Sequence, residues 1–292
     1  MMKMKPAIPV YAVLSTMKTD YEGGFKKLSE IGYQYIELLG ANPFAGKHLT
    51  ELYEGWEMKK LLKSCGLEPI SFHEQVPDLK TKTWDKLLSF CDTIRCERIV
   101  LPNIWIRTRE EALRLAGELD TTGRFMKARG FTYVLHTHHL EFRRLDDGKT
   151  LVDIILENTD PKNLEIEFDM IWAIRGGVDP LKELEKIGAR CHMIHQKDYR
   201  KDFPGTVNFF EIMKKEGLEA SGDLLGFVQK YSRSQEFFCT IGEGAFDVEG
   251  ALRKIASQGF VEYVIAENEE KGGQQFDVAR KEYNYLMKCM KQ

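Results

Sequence analysis

One short pattern recurs along this 292-residue chain and restricts its fold more than any other feature: an amphipathic stretch, a glycine, then an apolar run. It occurs as EIGYQYIEL around Gly32, SCGLEPISF around Gly66, ARGFTYVLH around Gly130, KIGARCHMIH around Gly188 and SQGFVEYVIAE around Gly259. A glycine just past a helix end takes the left-handed conformation that closes the last turn, and the chain then enters a strand. Filling the intervals gives eight strands. They centre on Val10 to Ser15 (within an apolar stretch from Ile8), Tyr35 to Leu39, Pro69 to His73, Arg98 to Asn103, Tyr133 to His138, Glu165 to Asp169, His192 to Lys197 and Tyr263 to Glu267. Helical patterns such as Glu51 to Ser64, Thr83 to Ile94, Glu110 to Arg129 and Val248 to Ser257 lie between them. This alternation predicts an α/β fold, a single (β/α)8 TIM barrel over residues 1–292. A doubly wound open sheet is the competing fold, but its GxGxxG fingerprint is absent after the first strand.

The rhythm breaks over Arg200 to Phe238, an insertion at about 200–238 too long for a plain connection. FFEIMKKEG and DLLGFVQKYS within it both read as helices, and the insertion is expected to cover the barrel mouth or to mediate self-association into a homo-oligomer.

Charge narrows the partners. Lys plus Arg is 42 and Asp plus Glu is 45, a net of -3, so no overall positive field draws in nucleic acid or an anionic membrane. A small neutral or modestly charged molecule is the expected partner. The start, MMKMKPAIPVYAVL, places Pro6 and Pro9 in its apolar run and is read as a strand rather than an export signal. No apolar run approaches the ~20 residues that span a bilayer. The six cysteines (65, 91, 96, 191, 239, 289) form no CxxC pair, which favours reduced thiols in the cytoplasm over a zinc ribbon or disulfide framework.

Barrel enzymes carry their reactive groups where strands run into βα loops. The predicted strand ends supply Glu37, His73, His136 with His138 and Glu141, Asp169, His195 with Lys197, and Glu267 with Glu269. Clustered carboxylates repel unless a cation or proton sits among them. The strongest subset is Glu141, Asp169, His195 and Glu267. Three carboxylates and an imidazole form an oxygen-rich set suited to Mn²⁺ first, then Mg²⁺, with Co²⁺ or Zn²⁺ also accommodated. Independent salt bridges are the competing reading. Strict alternation from His136 would point Glu141 the other way unless the strand has ended before it. His48, His139 and His192 are read as structural or surface residues. Glu165 and Glu167 share the parity of Asp169 but lie deeper, and are expected to pair with Lys or Arg. The glycine-rich IGEGAF at 241–246 reads as a tight turn before a helix capped by Asp247, in preference to a phosphate loop.

These residues also carry a resemblance. LHTHHLEF at 135–142 resembles the YHNHxxEF motif of the sugar phosphate isomerase/epimerase family, the xylose isomerase-like barrels. FDMIWAIRGGVDP resembles its LDxyWaxxaGxDP segment, HQKDY its HxKDY, and IGEGAFDVEGALRKIASQGFVEYVIAENE its closing stretch. The likeness covers most of the chain and is densest from Phe131 to Glu269. Leu135 and Thr137 stand where the family has Tyr and Asn, and the insertion after Tyr199 is longer than usual.

The resemblance implies one divalent metal held by Glu141, Asp169, His195 and Glu267. It also implies isomerase or epimerase chemistry on a sugar or keto-polyol through an enediolate. Glu141 and Glu267 would move protons from opposite faces. His73, His136, His138 and Lys197 would bind substrate hydroxyls or a carbonyl, with Glu37 and Trp172 shaping the pocket. The alternative on the same ligands is a lyase or dehydratase acting on a keto-inositol or 3-keto-glycoside. An abasic-site nuclease needs a histidine three residues after the Asp, where this chain has Trp172. A non-catalytic sugar-binding protein is the remaining competitor.

Overall fold

The computed structural model describes residues 4–75, 83–217, 237–269 and 273–291. Eight parallel strands close into a barrel: β1 (Lys5–Pro9), β2 (Tyr35–Leu39), β3 (Glu68–His73), β4 (Arg98–Leu101), β5 (Thr132–His136), β6 (Glu165–Asp169), β7 (Met193–Gln196) and β8 (Tyr263–Ala266). Each pairs with its neighbours in sequence, and β8 closes onto β1 through Lys5–Tyr263, Pro6–Val264 and Ala7–Ile265. The main outer helices are α1 (Tyr21–Ile31), α2 (Gly55–Ser64), α3 (Thr83–Ile94), α4 (Arg109–Lys127), α5 (Leu151–Glu157), α6 (Pro180–Ile187), α7 (Val248–Gln258) and α8 (Gln275–Cys289). All five joint glycines have positive φ, from 59° at Gly188 to 119° at Gly32, as the recurring pattern requires. No helix among the described residues is long and apolar enough to cross a membrane.

The first strand lies earlier than the sequence reading placed it. Val10–Val13 is a 3-10 turn and Leu14–Met17 a short helix, both following Pro9. Val10, Ala12, Val13 and Leu14 are all buried. A short continuous apolar run carries no period that separates a buried strand from a buried helical turn, which is why the boundary was misread. The Glu51 to Ser64 pattern is likewise two helices, Leu49–Leu52 and α2, because Glu54 caps the second through reciprocal bonding with Glu57. In the insertion, FFEIMKKEG forms a helix over Phe209–Lys215 capped by Asn208, while DLLGFVQKYS lies outside the described residues.

Side-chain parity organises the barrel interior. Ala7, Val100, Val134, Met193, Tyr263 and Ile265 form an apolar plug at its N-terminal end. Burying each of the larger side chains there contributes about 1.5–3 kcal/mol. Two residues beyond Val134, Met193 and Ile265 on β5, β7 and β8, the inward positions become His136, His195 and Glu267, and Glu37 of β2 and Glu167 of β6 join them. On β3 a bulge sets the phase: Ile36 pairs with Pro69 but Glu37 with Ser71, so the extra residue is Ile70. That shift brings the Ser71 hydroxyl to donate to Glu37 Oε2 at 2.7 Å and keeps His73 on the inner face.

Helix α8 ties two loops of the C-terminal rim to the barrel through Glu282, whose side chain is fully buried. Its Oε1 accepts the Ile241 N–H at 3.3 Å and its Oε2 accepts from Asn268 Nδ2 at 3.3 Å. Burial pushes this carboxyl up to about 7 from 4.5. The folded chain therefore keeps a proton that the unfolded chain releases, and stability contributed below pH 4.5 is lost as pH rises to about 7. A shift of this size corresponds to roughly 3 kcal/mol at most. Glu282→Gln keeps an acceptor for Ile241 and carries no charge. In chemical denaturation it should match the native chain at pH 5 and exceed it by about 1–3 kcal/mol at pH 8. Equal destabilisation at both pH values would show that the carboxylate itself is needed.

Candidate active site

The inward residues at the C-terminal ends of the strands form two tiers that share one imidazole. In the upper tier, donor atoms of Asp169, His195 and Glu267 lie within 4.8 Å of one another, and all three side chains are buried. In the lower tier, donor atoms of His73, His136, Glu167 and His195 lie equally close, and all but the part-exposed His73 are buried. His195 turns Nδ1 to Glu267, and its Nε2 lies 3.3 Å from Glu167 Oε2 and 3.2 Å from Glu37 Oε1.

Asp169 ends β6 and caps the short helix Met170–Arg175. Its Oδ1 accepts the N–H groups of Ile171 at 2.9 Å and Trp172 at 2.8 Å. These bonds fix the carboxylate and leave Oδ2, which has no hydrogen-bond partner, directed to the site. Lys197 Nζ lies 3.1 Å from Asp169 Oδ2 and 2.6 Å from Glu267 Oε2, at ion-pair distance without hydrogen-bond geometry. Burial opposes the charge on Lys197, but Asp169 and Glu267 outweigh it and push its pKa up. Burial raises the Asp169 carboxyl despite Lys197. Glu267 also bears a burial penalty, yet Lys197 and His195 hold it well below the usual carboxylate range.

Glu141 lies just beyond β5, which ends at His136, on a 3-10 turn over Leu140–Phe142. The strand's early end releases Glu141 from the alternation that would have turned it outward. It is fully buried, its Oε2 accepts the His138 N–H at 2.9 Å, and its Oε1 has no hydrogen-bond partner. Burial pushes its carboxyl up to about 7 against the pull of two backbone N–H groups. Glu141 stands outside both close-packed tiers.

The other sequence candidates divide. His73 Nε2 and His136 Nδ1 each lie 2.8 Å from Glu167 Oε2, so each ring spends one nitrogen on that carboxylate. Burial disfavours charge on both rings. Glu37 and Glu167 nonetheless raise His73 to about 10, whereas burial and neighbouring His195 lower His136 well below its ordinary value. His138 packs its ring 4.7 Å from His136 and 5.5 Å from Trp172. Trp172 is 3% exposed, and it also packs against His139 and Phe238. The described part of the insertion closes over this region: Phe209 and Met213 pack on Leu140, and Phe237 and Phe238 on Ile171 and Trp172.

Glu165 pairs with Arg98 at 3.6 Å, as its position suggested. Glu167 does not pair with Lys or Arg but with three imidazoles, which hold it down to about 2 despite burial and the charge of Glu37. Its parity, two residues before Asp169 on the inward face, was the available signal. The glycine-rich turn at 241–246 is engaged from within. Asp198 accepts the N–H groups of Gly242 and Gly244 at 3.0 Å and of Phe246 at 3.1 Å, and Asp247 caps α7. A Cβ at Gly244 would lie 2.1 Å from Asp198 Oδ1, so this turn requires glycine there.

The donor set fits a divalent cation. Bonds of about 2.0–2.4 Å to an ion place ligand atoms roughly 3–5 Å apart. Those of Asp169, His195 and Glu267 lie within 4.8 Å of one another, and the hydrogen-bonded His195 Nδ1 and Glu267 Oε2 would part to admit an ion. Glu141 Oε1 is a buried oxygen without a hydrogen-bond partner, and such an atom is costly to keep unless an ion or ligand meets it; Asp169 Oδ2 also lacks one, though Lys197 Nζ lies 3.1 Å away.

Comparisons with known proteins agree with this architecture. The chain is 25% identical over 166 residues to an inosose dehydratase of Clostridium perfringens, covering 57% of this chain and 50% of that protein. It thus spans about half the length of this curated relative. A crystal structure of a sugar phosphate isomerase/epimerase from Parabacteroides distasonis superposes with a TM-score of 0.72 at 21% identity, covering 98% of this chain and 94% of that one. The protein IolI, in a crystal structure with a bound zinc atom, superposes with a TM-score of 0.66 at 14% identity, covering 97% and 98%. The sequence profile of one family matches residues 25–289, nearly the whole barrel, and the chain belongs to that family, the xylose isomerase-like TIM barrels.

Proposed function

We propose that the chain is a divalent-metal-dependent isomerase or epimerase acting on a sugar or keto-polyol through an enediolate. The observation that carries this reading is the upper tier, Asp169, His195 and Glu267 from adjoining strands, with Glu141 buried on the neighbouring rim turn. These four residues would hold the ion, with Mn²⁺ the first choice for an oxygen-rich set. The ion would supply the positive charge that lowers the cost of forming an enediolate. Glu141 contributes a buried carboxylate oxygen without a hydrogen-bond partner, available to remove an α-proton once the ion keeps the group ionised. Glu267, kept ionised by Lys197, is the second carboxylate available to exchange a proton. Lys197 stays charged and can donate to a substrate carbonyl or hydroxyl, while His136 and His138 orient hydroxyls beside the Trp172 wall.

A second reading has its own support. The inosose dehydratase relative favours loss of water from a keto-inositol, which begins with the same α-proton removal and differs only when a leaving group lies β to the carbanion. Incubation of the Mn²⁺-loaded protein with ketoses and inososes in D2O separates the two, with a chelator-treated sample as blank. Deuterium at Cα in recovered sugar is the expected outcome. Release of water without back-incorporation would replace the isomerase reading by the dehydratase one, and neither signal would remove both.

Metal binding tests the role of Glu141. In the ion-free chain its carboxyl holds a proton below about 7, so Mn²⁺ affinity measured by calorimetry should rise with pH and level off above about 7. Glu141→Gln should lower kcat by about 10²–10⁴-fold and flatten that rise. A variant that keeps full activity would remove Glu141 from the site.

A further inference from the structure

His195 meets carboxylates on both edges of its ring, and the lower edge assigns the job of the upper one. Nε2 faces Glu37 Oε1 at 3.2 Å and Glu167 Oε2 at 3.3 Å. These are ion-pair distances rather than linear hydrogen bonds, but their sign is clear. A lone pair on Nε2 would face two anionic oxygens, whereas a proton there is attracted by both. Nδ1 meets Glu267 through a close contact of its own, so a proton held on that edge is the one an arriving ion must displace. Both carboxylates are anchored. Glu167 Oε2 is held at 2.8 Å by His73 Nε2 and at 2.8 Å by His136 Nδ1. Glu37 Oε2 takes the Ser71 hydroxyl at 2.7 Å and lies 3.0 Å from His73 Nε2. The ring is also held in place: His73 stacks on it at 5.8 Å and 15°, and His136 meets it edge-on at 4.6 Å.

We propose that Glu167, assisted by Glu37, is the positioning residue that keeps the His195 proton on Nε2 and so presents the Nδ1 lone pair to the divalent ion. This rests on the metal-site reading above and extends it to two carboxylates that touch no metal. A neutral imidazole has one N–H and one lone pair, so fixing the proton on one nitrogen commits the other to the cation. Ligating histidines elsewhere are oriented by carboxylates in this way, and loss of such a partner typically weakens metal affinity by about 10–100-fold. A rival arrangement uses the same atoms differently. His73, His136, Glu167 and His195 could hold an ion of their own, in which case His195 would turn a lone pair from Nε2 to the lower tier. In the lower tier His73 and His136 already occupy Glu167 Oε2 at 2.8 Å each, whereas the upper tier has the additional buried carboxylates Asp169 and Glu141 to offer an ion.

The test combines metal binding with a spectroscopic signature. The native chain, Glu167→Gln, Glu37→Gln and Asp169→Asn are titrated with Mn²⁺ by calorimetry. In parallel, the native chain labelled with ¹⁵N-histidine and loaded with Zn²⁺ is examined by long-range ¹⁵N–¹H NMR, with His195 assigned by comparison with His195→Gln. One ion per chain is expected, with Glu167→Gln binding about 10–100-fold more weakly, Glu37→Gln less affected, and His195 protonated on Nε2. Glu167→Gln binding within twofold of the native chain, or His195 protonated on Nδ1, would overturn the proposal. So would two ions per chain with one lost in Glu167→Gln, which would instead establish the lower tier as an ion site. If Asp169→Asn loses binding while Glu167→Gln does not, only this proposal fails. If Asp169→Asn also binds as the native chain does, the metal-site reading fails with it. Should Glu167→Gln not fold, the NMR result on the native chain decides alone.

Discussion

The structure depends on how five carboxylates are held inside a closed barrel. Glu37, Glu141, Glu167, Asp169 and Glu267 are all buried, Glu37 and Glu167 in mid-strand and the other three at a strand end or beyond one. A buried carboxylate that is neither paired nor hydrogen-bonded costs several kcal/mol or takes up a proton. Here the solutions differ by position. Glu37 and Glu167 share three imidazoles, and Glu267 and Asp169 face Lys197. Glu141, with backbone N–H groups alone to offset its burial, is the one pushed to about 7. One barrel thus gives neighbouring carboxyl groups opposite protonation behaviour, and that separation is what proton-transfer chemistry requires.

The scaffold serves this arrangement in detail. Parallel strands of period two carry apolar residues inward at one end and ionisable ones at the other, and the bulge at Ile70 corrects the phase of β3 so that Ser71 and His73 join them. The rim is fixed by side chains that consume loose backbone donors. Asp169 caps the helix after β6, Asp198 gathers the amides of the turn at 241–246, and Glu282 links that turn to the loop after β8. Such rigid support lets a site made of residues far apart in sequence keep its geometry.

Much of this was legible in the chain itself. The five glycine joints place five strands, and the intervals between them two more, all to within about two residues, because a helix stop followed by an apolar run is a local signal. The first strand was misplaced, since Val10 to Leu14 is apolar whether extended or helical. Asp169, His195 and Glu267, which the structure brings together, are legible as candidates because each closes a strand on the inward parity. Glu167 was misread because parity tells which way a side chain points but not what waits across the barrel. Its partners, His73, His136 and His195, come from three other strands, and their convergence is a property of closure and register. The same limit applies to Lys197, whose place between Asp169 and Glu267 follows from the neighbouring ends of β6, β7 and β8.

The central claim is that the upper tier is built around a cation. Anomalous diffraction from crystals soaked in Mn²⁺ alone addresses it most directly. The account predicts a single anomalous peak bounded by Asp169, His195 and Glu267, with the Glu141 carboxylate turned toward it. A peak seated among His73, His136 and Glu167, or one remote from the barrel's C-terminal rim, would contradict it.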